Sequence, residues 1–303
     1  MNYEIIHRTV YEYSSEVSVS QHVSHLTPRP MVGQQCLRHD LQVEPAPALV
    51  TNREDYFGNP TCFFSMAGAH RTLVVTARSE VVVQRRHWPA PEETTAWELV
   101  RCNYDQAGNS ITIDVQEFVY PSALIPALPA LAEYARPSFI AGRPILEAVR
   151  ELTTRIFTDF TFDPKATTVA TPLEQVIEKR RGVCQDFAHF QIGCLRSLGL
   201  PARYVSGYLE TLPPPGKPKL VGSDASHAWV QVFVPGIGWV DTDPTNNMLA
   251  SDRHIVVAWG RDFDDVSPIR GVISGGGRHS LNVAVDVIPR AAHGLSKQLF
   301  KTN

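Results

Sequence analysis

The 303-residue sequence predicts an α+β protein: an N-terminal antiparallel β-sandwich domain, followed by a core in which helices precede a second antiparallel sheet. Three observations carry that prediction. Up to about residue 86 apolar and polar side chains alternate at period two, most clearly in Leu37-Arg38-His39-Asp40-Leu41-Gln42-Val43-Glu44. From Pro144 the period becomes three and four, through Ile145, Ala148, Val149, Leu152 and Ile156. After Gly199 and Pro201 short β-rich runs return and continue to Ile288.

The elements follow in order. Tyr3 to Tyr13, Tyr56-Phe57 before Gly58-Asn59-Pro60, and Thr72 to Val83 are further strand candidates of a domain at 1–86. Residues 87–140 carry Pro89 and Pro91 and read as a linker and connecting segment, with one strand over Ile111 to Val119. The core is assigned to 141–303, including the C-terminal strands. Its helices are the one at Ile145, a second from Pro172 to Lys179, and a third from Cys184 through Phe187, Phe190, Cys194 and Leu198, stopped by Gly199. Strands are expected at Ala202 to Leu209, His227 to Val234, Trp239 to Thr242, Ile255 to Ala258 and Leu281 to Ile288.

Composition narrows the function classes. With 43% hydrophobic and 19% charged residues the chain is of ordinary globular type, and a net charge of -3 shows no basic excess for nucleic acid or an anionic membrane surface. The start Met1-Asn2-Tyr3-Glu4-Ile5-Ile6-His7-Arg8 lacks the basic and continuously apolar pattern of an export signal. The most apolar stretch, Val119 to Ala135, is broken by Pro121, Pro126 and Pro129. Cys36, Cys62, Cys102, Cys184 and Cys194 form no CxxC pair and no zinc-finger spacing, so a cytoplasmic location with reduced thiols is expected. Cys184 and Cys194, ten apart on one helix, stand about 15 Å apart and cannot bridge each other.

The chemistry-bearing residues are Cys184, His227 and Asp243, in that order. A cysteine at a helix N-terminus has its thiolate stabilised by unpaired N–H groups and the helix dipole. His227 opens a strand, and Asp243 closes the next one after the turn at Pro235-Gly236. A three-residue loop, 234–236, would set Asp243 directly opposite His227. A two-residue loop would set it opposite Ala228, facing away. Each residue alone reads more simply as an inert buried thiol, a strand histidine and a turn-capping carboxylate; together they form a thiol nucleophile, an imidazole base and the carboxylate that orients it, as in Cys-His-Asp hydrolases of papain-like architecture.

Four segments carry a family resemblance: Arg181-Gly182-Val183-Cys184-Gln185-Asp186-Phe187-Ala188-His189, Gly199-Leu200-Pro201-Ala202-Arg203-Tyr204-Val205-Ser206-Gly207-Tyr208, Ser226-His227-Ala228-Trp229-Val230 and Gly238-Trp239-Val240-Asp241-Thr242-Asp243-Pro244-Thr245. In this order the chain resembles the transglutaminase-like superfamily, in the bacterial branch with a β-rich N-terminal region. The tail from His254 to Asp262, with Asp265-Val266 and Gly275-Gly276-Gly277, resembles the end of that branch. The resemblance implies a papain/transglutaminase-like core in which Cys184 attacks an amide carbonyl of a peptide or protein substrate, His227 shuttles the proton and Asp243 holds the imidazole. Hydrolysis is expected over transamidation, and no cofactor or metal is needed. The alternative is a non-catalytic peptide-binding scaffold of the same fold.

Other residues near these segments are weighed as site support. Gly182 would allow close approach of backbone or substrate, Gln185 and Asp186 flank the nucleophile, Trp229 follows the base, and Asp224 would shape the loop before His227 or touch a substrate amine. His189, five residues after Cys184, turns away from it and is a poor rival base. Pro213-Pro214-Pro215-Gly216 reads as a flap, Asp262, Asp264 and Asp265 as solvated turn charges, and Ser274 to Gly277 as a hairpin turn. The backbone N–H of Cys184 is the expected oxyanion donor.

Overall fold

The computed structural model describes residues 1–84, 87–102, 113–211 and 224–290. Its strands are β1 (Asn2–Ser24), β2 (Gln34–Glu44), β3 (Leu49–Glu54), β4 (Pro60–Met66), β5 (His70–Val83), β6 (Thr161–Phe162), β7 (Arg181–Gly182), β8 (Ala202–Leu209), β9 (Ala225–Val234), β10 (Gly238–Asp243), β11 (Met248–Leu249), β12 (His254–Gly260), β13 (Ile269–Gly275) and β14 (His279–Arg290). The helices are α1 (Trp97–Cys102), α2 (Ile113–Gln116), α3 (Pro129–Ala135), α4 (Ile145–Asp159), α5 (Leu173–Lys179), α6 (Cys184–Ser197) and α7 (Phe263–Val266). None of the described helices is long and apolar enough to cross a membrane.

The β-rich N-terminal region is one antiparallel sheet in the order β2-β5-β1-β4-β3, with β13 and β14 also paired to β1. Strand β1 changes neighbours along its length: residues 2–12 lie between β5 and β14, and residues 20–24 lie between β4 and β13. The register breaks between Glu12 and Val17 against β5 mark the change. The expected two layers are therefore leaves of one sheet, closed over Tyr13, Val17, Phe64, Met66, Leu73 and Val75. The last strands, β13 and β14, pair with β1. Alternation in β13 and β14 shows which side chains face inward but not which strand lies alongside.

Two local expectations also change. Tyr56 and Phe57 are turn residues, because the Asp55 carboxylate accepts the N–H groups of Phe57 at 2.9 Å and Asn59 at 2.8 Å and reverses the chain between β3 and β4. The strand expected over Ile111 to Val119 is not formed: its first two positions lie outside the described residues, and the rest is α2 and a 3₁₀ turn that bury Val115 and Phe118 at a spacing of three.

The second sheet runs β11-β10-β9-β8-β12, antiparallel throughout. One face of β9, Ala228, Val230, Val232 and Val234, is buried in the same core as Phe187, Phe190 and Leu195 of α6. Tyr3, Ile5, Val81, Val83, Val285 and Val287 belong to this core too, so the first half of the N-terminal sheet and the helix-sheet core share one continuous interior. Inside it, Gln191 of α6 donates to Thr153 of α4 at 2.9 Å, and Thr153 meets Thr242 of β10 at 2.8 Å. This buried polar chain sets helix α6 against the strand that ends in Asp243.

Candidate active site

Helix α6 starts at Cys184 because its first turn is capped from within. Val183 has an extended backbone, and Asp186 returns its Oδ2 to the Val183 N–H at 2.8 Å while taking the Thr167 hydroxyl at 2.6 Å. Burial pushes the Asp186 carboxyl up, and those two hydrogen bonds oppose it. Gly182 is explained by the same side chain: a Cβ there would lie 2.5 Å from Asp186 Oδ2. The space beside Gly182 thus holds Asp186 instead of a substrate. At its other end α6 stops at Gly199, with φ +76°, where the N–H of Leu200 reaches back to the Leu195 carbonyl at 3.1 Å. Cys184 is left half-buried at the open N-terminal end, with its backbone N–H among those lacking a helical partner, and Gln185 beside it is half-buried as well.

Strands β9 and β10 close through Pro235, Gly236 and Ile237, so that Val234 faces Gly238 and Val230 faces Thr242. Neither loop considered from the sequence is used. The observed closure shifts the register by two relative to a direct His227–Asp243 pair, and a shift of two keeps both side chains on one face. His227 donates from Nε2 to Asp243 Oδ2 at 2.8 Å. Cys184, the residue that occupies the start of α6, lies near enough to the ring to act on its charge. Burial lowers the tendency of His227 to carry charge, but the hydrogen bond to Asp243 and the influence of Asp243 and Cys184 outweigh it and push the ring up to about 10. Despite its burial, hydrogen bonds and charge from His227 and His254 hold Asp243 well below the usual carboxylate range.

Asp243 is fully buried and accepts from more than His227. Oδ2 takes His254 Nε2 at 3.1 Å and Asn246 Nδ2 at 2.7 Å, and Oδ1 takes the N–H groups of Thr245 at 2.9 Å and Asn246 at 3.2 Å. The sequence reading assigned no role to His254 or Asn246. Asn246 follows Asp243 by three and could have been read as a turn partner; His254 only opens an apolar strand, and nothing local ties it to Asp243. His227, Asp243 and His254 bring their ligand-capable atoms within 4.8 Å of one another. The pattern is that of hydrogen bonds, since the Ser251 N–H occupies Nδ1 of His254 at 3.2 Å and leaves the proton on Nε2, facing the carboxylate.

Trp229 backs the base. Its indole N–H donates to Asp241 at 2.8 Å, and its ring stacks on His227 with centroids 6.0 Å apart. Gly207, opposite His227 on β8, makes room for that indole: a Cβ would lie 2.2 Å from the Ile255 carbonyl and 2.5 Å from Trp229. Asp224 is buried. It accepts from the Thr211 N–H and hydroxyl and from the Val287 N–H at 2.7 Å, joining the start of β9 to β14. His189 accepts the Phe263 N–H at 3.2 Å and is pushed down to about 4 by burial, so it stays neutral and structural. Asp262 caps α7 and Asp265 pairs with Arg261, which accounts for two of the acidic residues seen in the sequence. The flap at 213–216 lies outside the described residues.

Residues 3–82 match the bacterial transglutaminase-like N-terminal region and residues 134–244 match the transglutaminase-like superfamily. An uncharacterized protein of Mycobacterium tuberculosis is 42% identical over 300 residues, covering 95% of this chain and 92% of that one. The protein-glutamine gamma-glutamyltransferase of Pseudomonas aeruginosa is 31% identical over 121 residues, which are 40% of this chain and 18% of that enzyme. A crystal structure from Cytophaga hutchinsonii, provisionally named a cysteine protease, superposes with a TM-score of 0.74 at 21% identity over 98% of this chain and 94% of that one, and so shares the fold. On these matches the chain belongs to the transglutaminase-like superfamily, with the N-terminal region of its bacterial members.

Proposed function

We propose that this protein is a cysteine-dependent amide or peptide hydrolase of the cytoplasm. The observation that carries the reading is the convergence of Cys184 at the helix start on His227, whose ring is hydrogen-bonded to buried Asp243 at 2.8 Å. Among the described side chains the thiols of Cys36, Cys62, Cys184 and Cys194 are free, which suits a reducing compartment.

Cys184 Sγ gives up its proton to His227 and attacks the amide carbonyl carbon, forming the S–C bond of a tetrahedral intermediate whose oxyanion the Cys184 N–H is placed to receive. Collapse breaks the C–N bond, and the imidazolium delivers its proton to the leaving amine. Water then attacks the thioester, His227 takes a proton from it, and the S–C bond breaks to release the acid and restore the thiol. Asp243 keeps Nε2 protonated and the ring aimed, so Nδ1 is the nitrogen that works. A second outcome, attack by a primary amine in place of water, is favoured by the segment shared with the glutamyltransferase.

Intact-mass analysis of short peptides incubated with wild type and Cys184→Ala, with a primary amine present, tests both. Products that gain water with wild type alone support hydrolysis, and products that gain the amine support transfer. Equal product patterns for the two proteins would overturn the reading in favour of a binding scaffold.

A further inference from the structure

We propose that His254 is a positioning residue of this site: from β12 it pins the Asp243 carboxylate on His227 by donating to the same oxygen that His227 engages. The role rests on the reading of Cys184, His227 and Asp243 as a reacting unit. Oδ2 of Asp243 receives His227 Nε2 at 2.8 Å and His254 Nε2 at 3.1 Å. A carboxylate aimed by one donor alone can rotate about its C–C bond; here the second imidazole and the Asn246 contacts remove that freedom.

His254 is itself held rigidly. It is 2% exposed, and its Nδ1 accepts the Ser251 N–H at 3.2 Å, which only an unprotonated nitrogen can do. Its ring meets Trp229 edge-on, with centroids 5.2 Å apart at 78°. The titratable groups around it are Asp243 from β10 and His227 from β9, whose ring centroid is 6.2 Å away. On its own segment lie Asp252 and Arg253. Beyond the end of β8 lies Glu210, whose N–H bonds the Arg253 carbonyl and whose carboxylate takes the Tyr3 hydroxyl at 2.9 Å. Asp243 is the group to which its side-chain proton is given. His254 is therefore a neutral donor that acts through Asp243, and substrate need not touch it.

The test is the rate at which iodoacetamide alkylates Cys184 at pH 6, followed by peptide mass, in wild type, His254→Phe and His254→Gln. Loss of a hydrogen bond to a charged group corresponds to roughly tenfold to hundredfold. His254→Phe is expected to lower the Cys184 rate by about tenfold or more, leave Cys36 and Cys62 unchanged and keep the wild-type melting temperature within a few degrees. His254→Gln, whose amide reaches the same oxygen, is expected to recover the rate. Equal Cys184 rates in wild type and folded His254→Phe would overturn the proposal. Should His254→Phe not fold, His254→Asn takes its place: too short to reach Asp243, it is expected to lose the rate that Gln keeps, and equal rates for the two overturn the role. Alkylation needs no substrate, so fast labelling of wild type without amide turnover would sink the proposed reaction and leave this role standing.

Discussion

His227 and Asp243 stand two positions out of direct register across the β9–β10 pair, and this offset brings Nε2 of the ring to 2.8 Å from Oδ2. Continuing the observed ladder from Val230 and Thr242 would set Trp229, not His227, opposite Asp243. Diagonal neighbours on one face lie about 7–8 Å apart at Cα, the span an imidazole and a short carboxylate fill together. Direct neighbours would be too close for the ring to meet the carboxylate end-on.

The first prediction concerns that contact. Asp243→Asn keeps the shape but removes the charge, and its amide would present a donor to the Nε2 proton or force the wrong tautomer on His227. Turnover of any amide found to be a substrate should fall on the order of 10³-fold to 10⁴-fold, with KM much less affected. A steady-state measurement in which the Asn variant keeps a tenth of wild-type kcat would refute the orienting role.

Stability should depend on pH from both sides. His227 is raised from 6.5 to about 10, so its contribution is full below pH 6.5 and is lost as pH rises through 10. His7, His22 and His189 are buried and lowered from 6.5 to about 4, so the unfolded chain binds more protons than the native one between those values, and stability falls as pH drops through them. Asp243 is depressed, and its contribution is lost only in stronger acid. Thermal melts should therefore peak near pH 6.5 and fall at pH 5 and pH 9. A melting temperature still climbing from pH 6.5 to pH 9 would contradict the assignment of His227.

Gly207→Ala places a methyl against the Ile255 carbonyl and the Trp229 indole, neither of which is the free end of a flexible chain. The strain should cost about 3 kcal/mol, seen as a lower urea midpoint. Because Trp229 stacks on His227, Cys184 labelling should slow as well. Wild-type stability in this variant would show that the sheet relaxes there at no cost.

Asp224→Ala leaves the N–H groups of Thr211 and Val287 without that acceptor. Each such loss in a buried setting costs about 1–3 kcal/mol. Denaturant unfolding should show a loss of about 2 kcal/mol or more, and hydrogen exchange at Val287 should accelerate. Unchanged exchange at Val287 would mean that the clasp between β9 and β14 contributes little to holding that strand.

Much of the site was legible in the sequence because it depends on short-range rules. Helix α6 begins at Cys184 and passes into Gly199 as its cap residues direct, and β8, β9 and β10 fall on the apolar runs that predict them. Of the two loops considered, the three-residue one put His227 and Asp243 on one face, although the loop that closes the hairpin differs from both. A displacement of two positions leaves the face unchanged, so the pairing survived an error in the register.

The order of Cys184, His227 and Asp243 along the chain, the helix that presents the thiol and the strands that carry its partners were set by local pattern: caps, turns and the period of apolar side chains act within a few residues. Tertiary structure alone decided that β13 and β14 close the sheet around β1, that Gly182 yields its space to Asp186, and that His254 meets Asp243 from β12. Those are choices of partner. A strand's alternation tells which side of it is buried, while the neighbour it bonds to, and the side chain that reaches a buried carboxylate from it, depend on contacts between residues far apart in the chain.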